Sequence, residues 1–255
     1  MNFFFHTPND FVTSTLTIPK FQNSGKTAGG LNLYQAGINN GKWEIKPAEC
    51  HEDDYFWSIS SNANNENSIY FLATSRESEV IATKNSLSNL NKFTDTSPDF
   101  RANLKVSNSL GATSSYQSEY PFRMTQKLGT LYSDCGMLTS KDADKVGVFL
   151  RNIFFKPEQK NATLYLYDNN LDKLLKTFTI CTNKTCFIDL TPFKESLFTS
   201  FLFANDYLGI PIYLVDYGAT GLSFEHTHPP HESIHGANRF QMVNRLKKKA
   251  YEKVS

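Results

Sequence analysis

From Val146 onward, hydrophobic and polar positions form runs of five to ten residues punctuated by turn residues roughly every ten, the spacing of a sandwich or barrel of short strands. Thr163-Leu-Tyr-Leu-Tyr167 sets Leu164 and Leu166 on one face against Thr163, Tyr165 and Tyr167 on the other. It therefore predicts a strand whose second face is aromatic. Asp168-Asn-Asn170 turns the chain. Residues 176–180 and 186–190 predict a hairpin across the polar stretch 182–185. A further strand is expected over 208–217, with Pro211 marking an edge or a bulge. Gly218-Ala-Thr-Gly221 then turns into a last strand at 222–228.

The first half carries weaker patterning. Residues 55–60 and 69–74 predict a strand pair across the polar loop 61–68, and 84–99, rich in Asn, Ser and Thr, reads as a candidate linker. No repeat of fixed period is present. Thr191-Pro192 can open a short helix running to 201, whereas 198–204 also reads as a strand. From Asn238 to Val254 the signal is helical, because Phe240, Val243, Leu246, Ala250 and Val254 fall three or four apart on one stripe. The expected fold is mainly β, an antiparallel β-sandwich or jelly roll with a C-terminal amphipathic helix. One β-rich domain spans 1–236, with a subdivision point near 84–99, and a basic helix occupies 237–255.

Composition supports a large core: 40% of the 255 residues are hydrophobic, and 21 Phe, 12 Tyr and 2 Trp excludes wholesale disorder. With 26 Lys+Arg against 25 Asp+Glu the chain is nearly neutral, which argues against a protein that coats polyanions. The C-terminal helix is the exception. It holds Arg239, Arg245, Lys247, Lys248, Lys249 and Lys253 against the single acid Glu252, so the rest of the chain is net acidic. Cations near a helix C-terminus complement its dipole; contact with nucleic acid, anionic lipid or a protein partner is the alternative use. The helix lacks interleaved aromatics of a base-stacking surface, which makes a nucleic-acid partner the weaker alternative.

The N-terminal residues Met1-Asn-Phe-Phe-Phe5 have no basic leader and no long apolar run, so neither a secretory signal nor a membrane span is expected, and the expected location is the cytoplasm. Four cysteines, Cys50, Cys135, Cys181 and Cys186, are too few and scattered for a disulfide scaffold. Reduced thiols are expected, with a cross-strand Cys181–Cys186 bridge as the exception a hairpin would permit. The sequons Asn161-Ala-Thr163 and Asn183-Lys-Thr185 read as coincidence without a secretory route.

Chemical specificity concentrates in His226-Thr-His228-Pro-Pro-His231-Glu232-Ser-Ile-His235, which holds four of the six histidines. In an extended strand Leu222, Phe224, His226 and His228 share one face, with the two imidazoles about 6.6 Å apart at Cα. Glu225 faces the other way. Pro229 forces His228 into extended geometry, so the pair sits on a stiff strand end, with His231 and Glu232 following within reach. An imidazole pair with a carboxylate suits a divalent transition metal, whose open positions can polarise a substrate or activate water. The alternative is structural: histidines beside a Pro-Pro turn hydrogen-bond across the end of a sandwich, or sense pH.

This stretch resembles the first half of the cupin motif, in which an HxH followed by Glu supplies metal ligands inside a β-barrel. His226, His228 and Glu232 match that spacing, and the resemblance implies a cupin-like, metal-dependent enzyme. Gly221 lies one residue too close to His226, Gly236 follows Glu232 too soon, and a helix stands where the second motif would supply a histidine. The last ligand would come from upstream, from His51 or His6.

Other constellations are weaker. No G-x-S-x-G elbow and no phosphate-binding glycine motif occurs. Glu52-Asp53-Asp54 reads as a solvated acidic turn, since glycoside hydrolysis needs carboxylates placed across a cleft. Tyr116, Gln117, Glu119, Tyr120 and Arg123 combine flat rings with bidentate polar groups, a mixture that can hold a sugar. Trp43 and Trp57 are open to the same reading or to a place in the core. The expected function is a non-catalytic binding or assembly module that contacts a glycan or a protein partner through aromatic and polar loops; the alternative is the metal-dependent enzyme at His226, His228 and Glu232.

Overall fold

The computed structural model describes residues 2–7, 9–22, 25–60, 67–91, 93, 101–138, 141–226 and 238–255. The chain is mainly β, in antiparallel sheets, with a C-terminal helix. It divides into two compact units: Met1–Lys127 with Ile153–Gln159 and Asn183–Thr185, and Leu128–Asn152 with Lys160–Thr182 and Cys186–Ser255. The chain first passes from one unit to the other at Lys127/Leu128 and returns to the first for 153–159 and 183–185, while the described residues of the candidate linker 84–99 lie in the first unit and the C-terminal helix in the second. Among the described residues no helix is long and apolar enough to cross a membrane.

The first unit contains β1 Asn2–Phe3, β2 Val12–Pro19, β3 Asn32–Asn39, β4 Lys42–Pro47, β5 His51–Glu52, β6 Phe56–Ser60, β7 Ile69–Ala73, β8 Asn103–Asn108, β9 Thr113–Gln117 and β10 Tyr120–Pro121. They form a five-stranded sheet in the order β5-β6-β2-β8-β9, a three-stranded sheet β4-β3-β7, and the pair β1-β10. In β2, Val12, Ser14, Leu16 and Ile18 face inward, the period-2 alternation of a strand with one buried face. Asn40-Gly41 joins β3 to β4 with both residues at positive φ (49° and 72°), the two-residue turn whose twist matches a hairpin.

The strand pair expected between 55–60 and 69–74 does not form. Both segments are strands, but β6 pairs with β2 and β5, and β7 pairs with β3. β7 reads Ile-Tyr-Phe-Leu-Ala and is buried at every residue, so it needs cover on both faces, while β6 alternates. The N-terminal phenylalanines supply part of that cover: Phe3 meets the Phe71 ring edge-on at 6.0 Å, and Phe4 exchanges backbone hydrogen bonds with Tyr70.

Helix α1, Ser75–Lys84, was not expected from the sequence. Its signal is Thr74-x-x-Glu77, a capping box in which the Thr74 hydroxyl accepts from the Glu77 amide and the Glu77 carboxylate accepts from the Thr74 amide. The helix ends at Asn85 in the left-handed region, and the Asn85 side chain accepts from the Trp43 amide at 2.8 Å. A second helix, α2 Phe122–Thr125, is one turn long.

Apart from Thr185, which belongs to the first unit, the second unit contains β11 Leu131–Asp134, β12 Lys145–Arg151, β13 Asn161–Asp168, β14 Lys173–Cys181, β15 Thr185–Asp189, β16 Ser200–Ala204, β17 Ile210–Asp216 and β18 Leu222–His226. Two four-stranded sheets, β11-β16-β13-β14 and β15-β12-β17-β18, form a sandwich over one core. Leu164, Leu166, Leu202 and Ile180 come to it from the first sheet and Val146, Val148, Leu150 and Val215 from the second. The expected hairpin over 176–190 is absent: β14 pairs with β13, while β15 pairs with β12, so the chain changes sheets at 182–184. All four cysteines are free thiols. Pro211 is the second residue of β17, opposite Leu150 and one residue before the described β18 ladder starts at Ile212, so its missing N–H leaves no described bond unmade on that side.

Residues 191–201 combine both readings, a 3-10 stretch Thr191–Thr199 followed by β16. Helix α3, Arg239–Val254, lies on the outer, aromatic face of β13 and β16. Ala250 is buried among Tyr167, Phe201 and Phe203, and Tyr132 and Tyr167 stack on Phe201 at 5.2 and 5.5 Å. The Lys253 ammonium bonds Asp172 at 2.6 Å above the Tyr167 ring.

Candidate functional site

In the first unit an open groove of about 510 Å³ lies between the loop that follows β2 and the turn joining β5 to β6. The loop wall comprises Lys20, Phe21 and Thr27 to Leu31. Backbone bonds shape it: Ala28 N–H donates to Lys20 O at 2.7 Å, and Leu31 N–H to Ala28 O at 2.8 Å. Gly30 stands at φ 80°, where a side chain would be strained.

The opposite wall is the acidic turn. Asp53 Oδ1 accepts from the amides of Tyr55 and Phe56, both at 2.7 Å, closing an Asx turn that ties β5 to β6. These two amides, Tyr55 first, hold the Asp53 carboxyl below the usual carboxylate range. Asp53 is thereby structural, while Glu52 and Asp54 line the groove. The walls are joined where Lys20 N–H donates to Tyr55 O at 2.8 Å, continuing the β2–β6 register past Pro19↔Phe56.

Lys20 organises the floor. Its ammonium bonds Glu52 Oε1 at 2.7 Å and the Asp53 carbonyl, and sits 5.1 Å from the centre of the Trp57 ring. Trp57 is only 4% exposed, so the groove meets it at the bottom. Tyr55 is the opposite case at 63% exposed, with its ring held edge-on to Phe21 at 6.4 Å. Among the described residues, no group bonds the Tyr55 hydroxyl or the Asp54 carboxylate. Near the turn, burial first and Glu52 second push the half-buried Cys50 thiol up, which keeps it protonated at neutral pH.

The residues expected from the sequence to bind a ligand are placed elsewhere in the same unit. Tyr120 is fully buried, paired through β10 with Phe3, and so belongs to the core. Gln117 accepts from Arg101, and Glu119 accepts from the Ala102 amide at 3.2 Å. Tyr116 is half-buried opposite Leu104 on β9, and Arg123 is exposed on α2. Trp43 is likewise core: its indole N–H donates to Phe155 O at 3.0 Å.

For the histidine cluster, Phe224 and His226 share the inward side of β18 and Glu225 the exposed side, the alternation expected of a strand. His228, His231 and Glu232 lie outside the described residues. Of the upstream candidates, His6 is buried with Nδ1 on Ser14 Oγ at 3.1 Å, and His51 is exposed on β5; both belong to the first unit and His226 to the second. Among the described residues no group of three or more His, Cys, Asp or Glu side chains is gathered so as to hold a metal ion. No protein-family model matches the chain, and no curated protein matches its sequence.

The groove escaped the sequence reading because its walls are about thirty residues apart and meet only through the β2–β6 pairing. The available signal was Glu52-Asp-Asp-Tyr-Phe-Trp57, an acidic turn followed directly by three aromatics.

Proposed function

We propose that this protein is a non-catalytic binding module that holds a carbohydrate in the groove between the 20–31 loop and the β5–β6 turn. The observation that supports the reading is the exposed Tyr55 ring set beside the Glu52 and Asp54 carboxylates. Sugars are recognised by this pairing, with CH faces packing on a flat ring and hydroxyls donating to carboxylates. A rigid Asx turn and the Lys20–Glu52 pair fix the polar groups before ligand arrives, which lowers the ordering cost of binding.

The test is a glycan array followed by titration calorimetry on the sugars retained. Tyr55→Ala is expected to weaken binding at least tenfold while leaving the melting temperature unchanged, since this ring is mostly in solvent. Failure to retain any sugar, or full affinity in Tyr55→Ala, rejects the reading.

A further inference from the structure

Resting on that reading, we infer that the groove selects a cationic sugar, an amino sugar with a free ammonium group, over neutral glycans. Two carboxylates, Glu52 and Asp54, line the groove against one ammonium, Lys20. That ammonium is already committed to Glu52 Oε1 and the Asp53 carbonyl and lies over Trp57. It therefore serves as an internal counter-ion for Glu52 and leaves the Asp54 charge without a described partner.

The aromatic component points the same way. An ammonium is attracted to a ring face as well as to a carboxylate, and the groove offers both side by side at Tyr55 and Asp54. Trp57 already carries the Lys20 ammonium over its ring, whereas the Tyr55 ring, with Phe21 edge-on beside it, is largely in solvent and open to a ligand's cation. A sugar carboxylate or sulfate would face Glu52 and Asp54 as a like charge and would be disfavoured.

The experiment compares a fully N-acetylated glucosamine tetramer with the fully deacetylated tetramer, by calorimetry on the full chain, at slightly acidic pH where the sugar amines are charged. The deacetylated tetramer is expected to bind about tenfold tighter, with the preference shrinking as salt is added. Asp54→Asn is expected to abolish most of the preference by weakening the deacetylated tetramer far more than the neutral one, and Tyr55→Ala to weaken both.

Equal affinity for the two tetramers overturns the charge inference while leaving the sugar reading in place. Binding of neither tetramer, with an oligolysine peptide bound in a manner lost in Asp54→Asn, overturns the amino-sugar assignment in favour of a basic polypeptide. Binding of none of the three overturns it outright.

Discussion

Asn183 Oδ1 accepts the Phe154 amide proton at 2.7 Å, and the Asn183 side-chain amide donates to the carbonyls of Lys156 and Glu158 at 2.8 and 3.0 Å. One side chain, 1% exposed and at φ 55°, thus ties the 153–159 segment into the first unit. Asn183→Ala removes three hydrogen bonds and places a Cβ residue without local compensation in the left-handed region. A loss of about 2–4 kcal/mol is expected by denaturant unfolding. The same bonds exclude a glycan from the Asn183 sequon in the folded chain: secreted, folded protein should show no modification at Asn183 by peptide mass spectrometry.

Gly147 on β12 is a close-approach glycine. A Cβ there would lie 2.4 Å from Phe187 Cζ and 2.9 Å from the Ile188 carbonyl oxygen, both on β15. Because backbone as well as ring stands in the way, Gly147→Ala is expected to destabilise the second unit by about 1–3 kcal/mol. A melting curve indistinguishable from the parent's would show that β15 does not pack on β12 as described.

The end of α3 is anchored by a titratable pair. The Lys253 ammonium, then Tyr167, holds the Asp172 carboxyl below its ordinary range, and Asp172 in turn raises Lys253. A carboxyl lowered on folding contributes stability above its unfolded value and loses it as pH falls through the folded one; a raised lysine contributes below its unfolded value and loses it as pH rises through the folded one. The anchor should hold from above about pH 4 to below about pH 10. Carboxyl NMR titration is expected to place the Asp172 midpoint below that of an unfolded aspartate, and Lys253→Met to raise it part of the way back, the Tyr167 hydroxyl still donating to it.

The thiols give a separate check. Burial pushes the Cys135 thiol up, with Asp134 adding to the shift, and Cys135 is fully buried against the Tyr213 hydroxyl. Without reductant, all four thiols should titrate with a thiol reagent after denaturation, and Cys135 should be unreactive in the native protein. Two missing thiols in the denatured titration would mean that Cys181 and Cys186 are bridged after all.

Period-2 alternation was enough to find β13, because it has one face on the sandwich core and one beneath α3, whereas β12, β16 and β17 are buried along nearly their whole length. Thr163 to Tyr167 shows this directly, with Leu164 and Leu166 in the sandwich core and Tyr165 and Tyr167 on the aromatic face beneath α3. The helix stripe was only partly informative: Val243 and Ala250 are buried, whereas Phe240 is 59% exposed. A sheet of large rings accepts a helix through its small residues, so the bulkiest members of the stripe are not those that dock.

The chain's own pattern of apolar alternation, turn residues and caps determined that this is an antiparallel β protein ending in an amphipathic helix, since those signals act over neighbouring residues. Which strands pair was decided only by tertiary structure. Residues 176–180 and 186–190 entered different sheets, and β6 chose β2 over β7, because pairing depends on which faces must be covered. The groove has the same origin: Lys20, Glu52, Asp54 and Tyr55 are ordinary residues along the sequence, and the β2–β6 register brings them to one wall-to-wall cleft.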